Sequence, residues 1–224
     1  MASSPLPVLS PIEARVLGVL AEKQRTVPDT YPLTLNALVS GCNQKTSRDP
    51  VMEVSEAEAQ QALDSLRNLN LAIESSGGRV PRYAHNTERV LQVPPQSVAL
   101  LAVLMLRGPL TAGELRINCD RMHKFADISA VEGFLRELAE RPAGALVMEL
   151  ARQPGSRENR WAHLLSGAVA QERPSASAPA VAHPRADQAS ELAALRSRIE
   201  TLEANVAALK ELVASMRGEG GSER

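Results

Sequence analysis

Arg79-Val80-Pro81-Arg82-Tyr83-Ala84-His85 is echoed further along the chain by Arg157-Glu158-Asn159-Arg160-Trp161-Ala162-His163. Both copies keep Arg, Arg, an aromatic residue, Ala and His in one spacing, and each reads as the closing strand of a short hairpin. In the first copy the hairpin opens with Leu71-Ala72-Ile73 and turns at Gly77-Gly78.

Working back from that hairpin, three helices precede it. Ser10-Pro11-Ile12-Glu13 places Ser at the N-cap, Pro at N1 and Glu at N3, which together start a helix. Ile12, Val16, Leu17, Val19 and Leu20 give that helix its apolar face. A turn with Pro28, Asp29 and Pro32 leads to a second helix over 33–42, and a polar loop over 43–50 follows. Ser55 with Glu58 forms another capping box, opening a third helix through Ala59, Ala62, Leu63, Leu66 and Leu69.

Residues 94–166 run through the same order. Val98 to Leu104 matches the first helix. Leu110-Thr111, Leu115 and Cys119 fall on Leu33-Thr34, Leu38 and Cys42 at one constant offset, and Val131, Phe134, Leu135 and Leu138 fall on Ala59, Ala62, Leu63 and Leu66. Three helices and a hairpin, twice, predict a mainly α chain with small β-hairpins (α+β). Residues 10–92 and 93–167 are read as two tandem winged helix-turn-helix domains, preceded by a disordered N-terminus over 1–9.

From 168 to 188 the chain is rich in Ala, Ser and Pro and reads as a disordered linker. Leu192, Leu195, Ile199, Leu202, Val206, Leu209, Val213 and Met216 then alternate at spacings of three and four, a heptad seam within a helix over 189–217; 218–224 form a tail. Branched residues at a and Leu at d favour a parallel coiled-coil dimer, in which Glu191 faces Arg196 and Arg198 faces Glu203. The alternative is a lone amphipathic helix folded back on its own chain.

Bulk properties exclude several classes. No apolar run nears the ~18–20 residues that would span a bilayer, and the opening Met1-Ala2-Ser3-Ser4 stretch is no signal peptide. These point to the cytoplasm and away from any membrane partner. Net charge is −1. Residues 1–90 hold nine Lys/Arg and ten Asp/Glu, and residues 91–166 nine and eight, so the basic excess of a dedicated nucleic-acid binder is missing. With 2% aromatic residues, the core falls to Leu, Val, Ala and Ile.

Ile12-Glu13-Ala14-Arg15-Val16, Glu22-Lys23-Gln24, Tyr31-Pro32-Leu33 and the stretch 42–52 (CNQKTSRDPVM) together resemble the YceH-like family of bacterial proteins. The second copy agrees through Leu106-Arg107-Gly108, Gly113-Glu114-Leu115-Arg116, Arg121-Met122 and residues 152–160. The resemblance covers about residues 10–167. It implies a tandem winged-helix fold in a bacterial cytoplasm, and it carries over no catalytic residues.

Residues able to do chemistry are scattered. His85 and His163 occupy equivalent hairpin positions, which favours a structural role over catalysis; His123 and His183 stand apart. Cys42 and Cys119 both end a second helix and read as small buried residues, too few for a zinc site. Neither a metal nor a cofactor is expected, and an enzyme is not.

For DNA, the usual mode lays the third helix in the major groove. Both third helices start acidic, at Ser55-Glu56-Ala57-Glu58 and Asp127-Ile128-Ser129, although Gln60 and Gln61 could read adenine. Basic and hydroxyl residues gather instead in the loops (Lys45, Thr46, Ser47, Arg48; Arg121, Lys124) and on the wings (Arg79, Arg82; Arg157, Arg160), where they could hold phosphate oxygens. The bland alternative pairs Arg48, Arg121 and Arg157 with Asp49, Asp120 and Glu158. The resulting expectation is a transcriptional or nucleoid-type protein that contacts duplex DNA through loops and wings. Its competitor is a protein-interaction scaffold that does not bind DNA and whose partner is another protein.

Overall fold

The computed structural model describes residues 8–75, 78–152 and 158–167. All of these residues belong to one compact unit. The linker, heptad helix and tail expected from sequence lie outside the described residues.

Helix α1 spans Pro11–Thr26, and its start is the expected capping box: Ser10 Oγ accepts from the Glu13 N–H while Glu13 reaches back to the Ser10 N–H. A 3-10 turn at Pro28–Thr30 leads to α2 (Leu35–Cys42), capped by Thr34. Helix α3 (Glu56–Asn68) opens with the Ser55–Glu58 box. Strands β1 (Ala72–Ser75) and β2 (Arg82–His85) pair antiparallel, with Ile73 opposite Ala84. A short helix α4 (Thr87–Leu91), not foreseen from sequence, carries the chain to α5 (Pro95–Arg107). Then come α6 (Ala112–Cys119), α7 (Ile128–Ala139) and the antiparallel pair β3 (Val147–Glu149) and β4 (Trp161–His163). The chain is therefore mainly helical with small antiparallel hairpins.

The two halves match in backbone detail. Just before α2, Leu33 exchanges both backbone hydrogen bonds with Tyr83; just before α6, Leu110 does the same with Trp161. The aromatic residue of each closing strand is thus pinned to the residue preceding the second helix's cap. Cys42 and Cys119, last residues of α2 and α6, are both fully buried.

The halves also share one core. In α1 residues 14–21 are buried without interruption, and in α5 residues 97–106 are. A helix buried around its whole circumference needs neighbours on every side. α1 finds them in α2 and α3 on its own half and in α5 on the other. Gly18 marks a close approach: a Cβ there would sit 3.0 Å from Leu106 Cγ and 3.3 Å from Met105 Cβ. Leu9, which sequence assigned to a disordered N-terminus, is buried instead, and its N–H donates to the Leu165 carbonyl at 2.7 Å. That correction is physical: the last turn before Gly167 offers both an apolar seat and an acceptor.

A basic cleft between the two halves

The loop after α2 is held by three polar clasps. Arg48 is buried; its Nη2 donates to Glu22 Oε2 at 2.7 Å and its Nη1 to Glu22 Oε1 at 3.2 Å, a bidentate pair. The same guanidinium donates to the Gly41 and Ser47 carbonyls and to Gln44 Oε1. Arg15, also buried, donates from α1 to the Cys42 carbonyl at 3.2 Å and the Pro50 carbonyl at 2.6 Å. Asn43 closes the far end, donating to the Val54 carbonyl and accepting from the Val54 N–H. Burial would raise the Glu22 carboxyl, but Arg48 and Lys23 outweigh it and hold it below the usual carboxylate range.

So anchored, the loop turns its tip outward. Lys45, Thr46 and Ser47 are exposed, and Ser47 sits in the left-handed region at φ 62°. The loop is also tied to the other half, because the Asp49 N–H donates to the Leu106 carbonyl at 2.8 Å, one residue before Arg107. Between the halves lies a cleft of about 380 Å³ whose lining includes Lys23, Lys45, Thr46, Ser47, Arg107 and Arg121. Among the described residues no carboxylate comes within ion-pair distance of Lys45, Arg107 or Arg121. Lys23 is shared, 3.3 Å from Glu22 and 3.4 Å from Gln44 Oε1.

The residues singled out from sequence therefore divide. Lys45, Thr46, Ser47 and Arg121 come together in the cleft. Arg48 does not face solvent, and its partner is Glu22, not the adjacent Asp49; a sequence reading could not see a carboxylate 26 residues away. Lys124 is exposed outside that lining, as are Arg79 and Arg160. Arg82 is exposed but reaches back, donating to the Thr30 and Pro32 carbonyls. Gln60 is engaged, donating to Asp64 and accepting from the Tyr83 hydroxyl, whereas Gln61 is exposed. Arg157 and the whole seam (Leu192, Leu195, Ile199, Leu202, Val206, Leu209, Val213, Met216) lie outside the described residues. Lys23 and Arg107 were missed. Each is a cation in the last turn of its helix, which reads from sequence as a response to the helix dipole alone.

The remaining reactive groups are enclosed. His85 bridges Gln24 Oε1 at 2.8 Å and Thr87 Oγ1 at 3.2 Å. Burial lowers both His85 and His163 to about 4. Burial also pushes the Cys42 thiol up to about 11 and the Cys119 thiol to about 12, so neither is a thiolate near neutrality. Among the described residues no three His, Cys, Asp or Glu side chains gather as a metal site, and no helix is long and apolar enough to cross a membrane.

Fold and cleft together define a mainly helical protein with two matching halves and a cationic surface between them. The chain belongs to the family described as "Protein of unknown function, DUF480", whose model matches residues 9–156. It is 59% identical to a UPF0502 protein of Dechloromonas aromatica over 207 residues, covering 92% of this chain and 95% of the relative. A UPF0502 protein of Cupriavidus necator is 56% identical over 213 residues, covering 95% and 87%. Another, from Burkholderia thailandensis, is 56% identical over 216 residues, covering 95% and 89%.

Proposed function

We propose that this protein is a tandem winged-helix DNA-binding protein that grips the duplex backbone through its loops and wings, without reading bases through its third helices. The observation that carries this reading is the convergence of Lys45, Thr46 and Ser47 from one half with Arg121 from the other on a single cleft. Cations and hydroxyls placed by a braced loop are the donors that phosphate oxygens take, and they position a duplex with no sequence preference. Arg79 and Arg160, exposed on or beside the two hairpins and outside the cleft lining, would add phosphate contacts of their own. Glu56 and Glu58 in the first turn of α3, and Asp127 capping α7, oppose a major-groove approach. Arg48 belongs to the brace and not to the contacts.

Fluorescence anisotropy against a random duplex at two salt concentrations tests it. Affinity is expected in the ~10⁻⁴–10⁻⁶ M range at physiological salt, and Lys45→Ala or Arg121→Ala should each lower the salt slope by about one. No binding at low salt removes the reading.

A second reading, a protein-interaction scaffold, is favoured by one feature. Glu132 on α7, Glu140 just after it and Glu149 on β3 edge two clefts beside Trp161 together with Arg136 and Arg152, a mixed-charge face carrying the Trp and Arg that protein interfaces favour. It takes over if duplex binding fails. In either case the seam from Leu192 to Met216 is proposed to form a parallel dimer, on its heptad spacing alone. Sedimentation should show a dimer that Ile199→Asp with Val206→Asp converts to monomer.

A further inference from the structure

The cleft has properties that a duplex-contacting surface does not require. It is a concavity of about 380 Å³, within the ~300–1,000 Å³ range of small-molecule sites. Four cations line it: Lys23 from α1, Lys45 from the first loop, Arg107 from the end of α5 and Arg121 from the second loop. The one carboxylate in the lining, Glu22, is taken on its inner side by the bidentate Arg48. Lys23 is partly neutralised by Glu22 at 3.3 Å, but among the described residues Lys45, Arg107 and Arg121 have no carboxylate within ion-pair distance. Like charges so held repel, and a bound anion turns that repulsion into attraction.

The lining also speaks to the kind of anion. Thr46 and Ser47 bring hydroxyls and Gln44 and Asn118 bring amides, while Val27 and Met122 are the apolar members and no aromatic ring is among the lining residues. Such a surface recognises charge and oxygen, not a planar base. Finally, the walls are fixed in advance. Arg48 and Arg15 hold the first loop against α1 and the Asp49–Leu106 backbone bond holds it against α5, so little ordering entropy is lost in that loop when a ligand arrives.

We propose that this cleft binds a compact polyanion of the pyrophosphate class, seated between the two halves and held by Lys45, Arg107 and Arg121 with the Thr46 and Ser47 hydroxyls. The ligand bridges both halves, so its binding stabilises their junction, and a free polyphosphate competes with any duplex phosphate for the same donors. The site does not depend on the DNA reading.

Calorimetric titration of the full chain with inorganic pyrophosphate, against orthophosphate and sulfate at matched ionic strength, tests the site. Pyrophosphate should bind at least about tenfold more tightly than sulfate, because it meets cations from both halves at once. Lys45→Ala combined with Arg121→Ala should weaken it at least about tenfold, whereas Arg89→Ala with Arg136→Ala, exposed on α4 and α7 away from the cleft lining, should leave it unchanged. Both cleft side chains are exposed, and the charge-keeping Lys45→Arg, which should retain binding, guards against a folding artefact. Equal affinity for pyrophosphate and sulfate, or binding indifferent to the Lys45/Arg121 change, overturns the proposal. A duplex titration separates the two ideas. Pyrophosphate binding without duplex binding keeps the site and removes the DNA reading; duplex binding without pyrophosphate binding does the reverse.

Discussion

The two halves repeat one order of helices and hairpin, yet they close the loop between the second and third helix with opposite chemistry. In the first half that loop is long and organised by buried charge: Arg48 on Glu22, and Arg15 on two backbone carbonyls. In the second it is short and organised by rings. Phe125 is buried, with His123 edge-on at 4.6 Å and Phe134 at 5.9 Å. The same backbone task is thus done by a polar clasp, which leaves the loop tip free to present Lys45, and by an aromatic plug, beside which the Arg116 guanidinium makes an exposed bond to the Ala126 carbonyl. Since the clasp depends on paired groups in a dry site, it should fail abruptly when one partner goes, whereas the plug should fail in proportion to the volume removed.

The largest effect is expected from Glu22→Ala. It strands the Arg48 guanidinium, whose side chain is fully enclosed, and breaking a buried pair in this way costs ~3–5 kcal/mol. Urea denaturation of the wild type and variant measures it. A loss below about 1 kcal/mol would show the pair to behave as a solvated surface bridge. Phe125→Ala is the matching test on the other side. It should cost about 3–4 kcal/mol, a cavity effect, and Phe125→Leu should recover most of it. If Phe125→Leu were as harmful as Phe125→Ala, ring-edge contacts and not volume would govern the plug.

Acidification should weaken both halves together. The folded chain holds His85 and His163 at about 4, against 6.5 for an unburied histidine. Well above 6.5, from ~pH 7.5 upward, neither state carries the proton and the stability is complete. As pH falls toward 4 the unfolded state takes up protons first, and each histidine removes roughly 3 kcal/mol. Urea midpoints between pH 7 and 4.5 should show this decline, and His163→Gln should remove about half of it, as one of two comparable sites.

The smallest expected effect comes from a position where the halves differ by sequence alone. Gly41 in α2 corresponds to Asn118 in α6. A Cβ at Gly41 would lie 2.6 Å from Val19 Cγ1, so α2 approaches α1 more closely than a side chain allows. Gly41→Ala should therefore cost about 1–3 kcal/mol by overpacking, despite the better helix propensity of Ala. Thermal unfolding checks the sign; a stabilised variant would mean that α2 can shift outward without loss.

Much of this molecule is legible along the chain. Ser10 with Glu13 and Ser55 with Glu58 cap their helices as their spacing requires, because an N-cap interaction spans three residues and needs no tertiary partner. The matching of Tyr83 to Trp161 and of Cys42 to Cys119 is likewise readable, since equivalent backbone positions select similar side chains. The unbroken apolar run 98–106 in α5 held a further signal: a helix apolar all round has no face for solvent, and so announced a core shared between the halves.

What tertiary structure alone decided is the fate of the charges. Local sequence set Arg48 beside Asp49 among exposed loop residues, and the fold instead turned it inward to Glu22. It also brought Lys45 and Arg121, 76 positions apart in the numbering of the chain, to one cleft with Lys23 and Arg107. Capping and periodicity are short-range constraints, fixed by bonds that span three or four residues. Whether a cation is sealed in a bidentate pair or left facing a concavity depends on the packing of α1 against α5, and packing is a property of surfaces that meet only after the chain has folded.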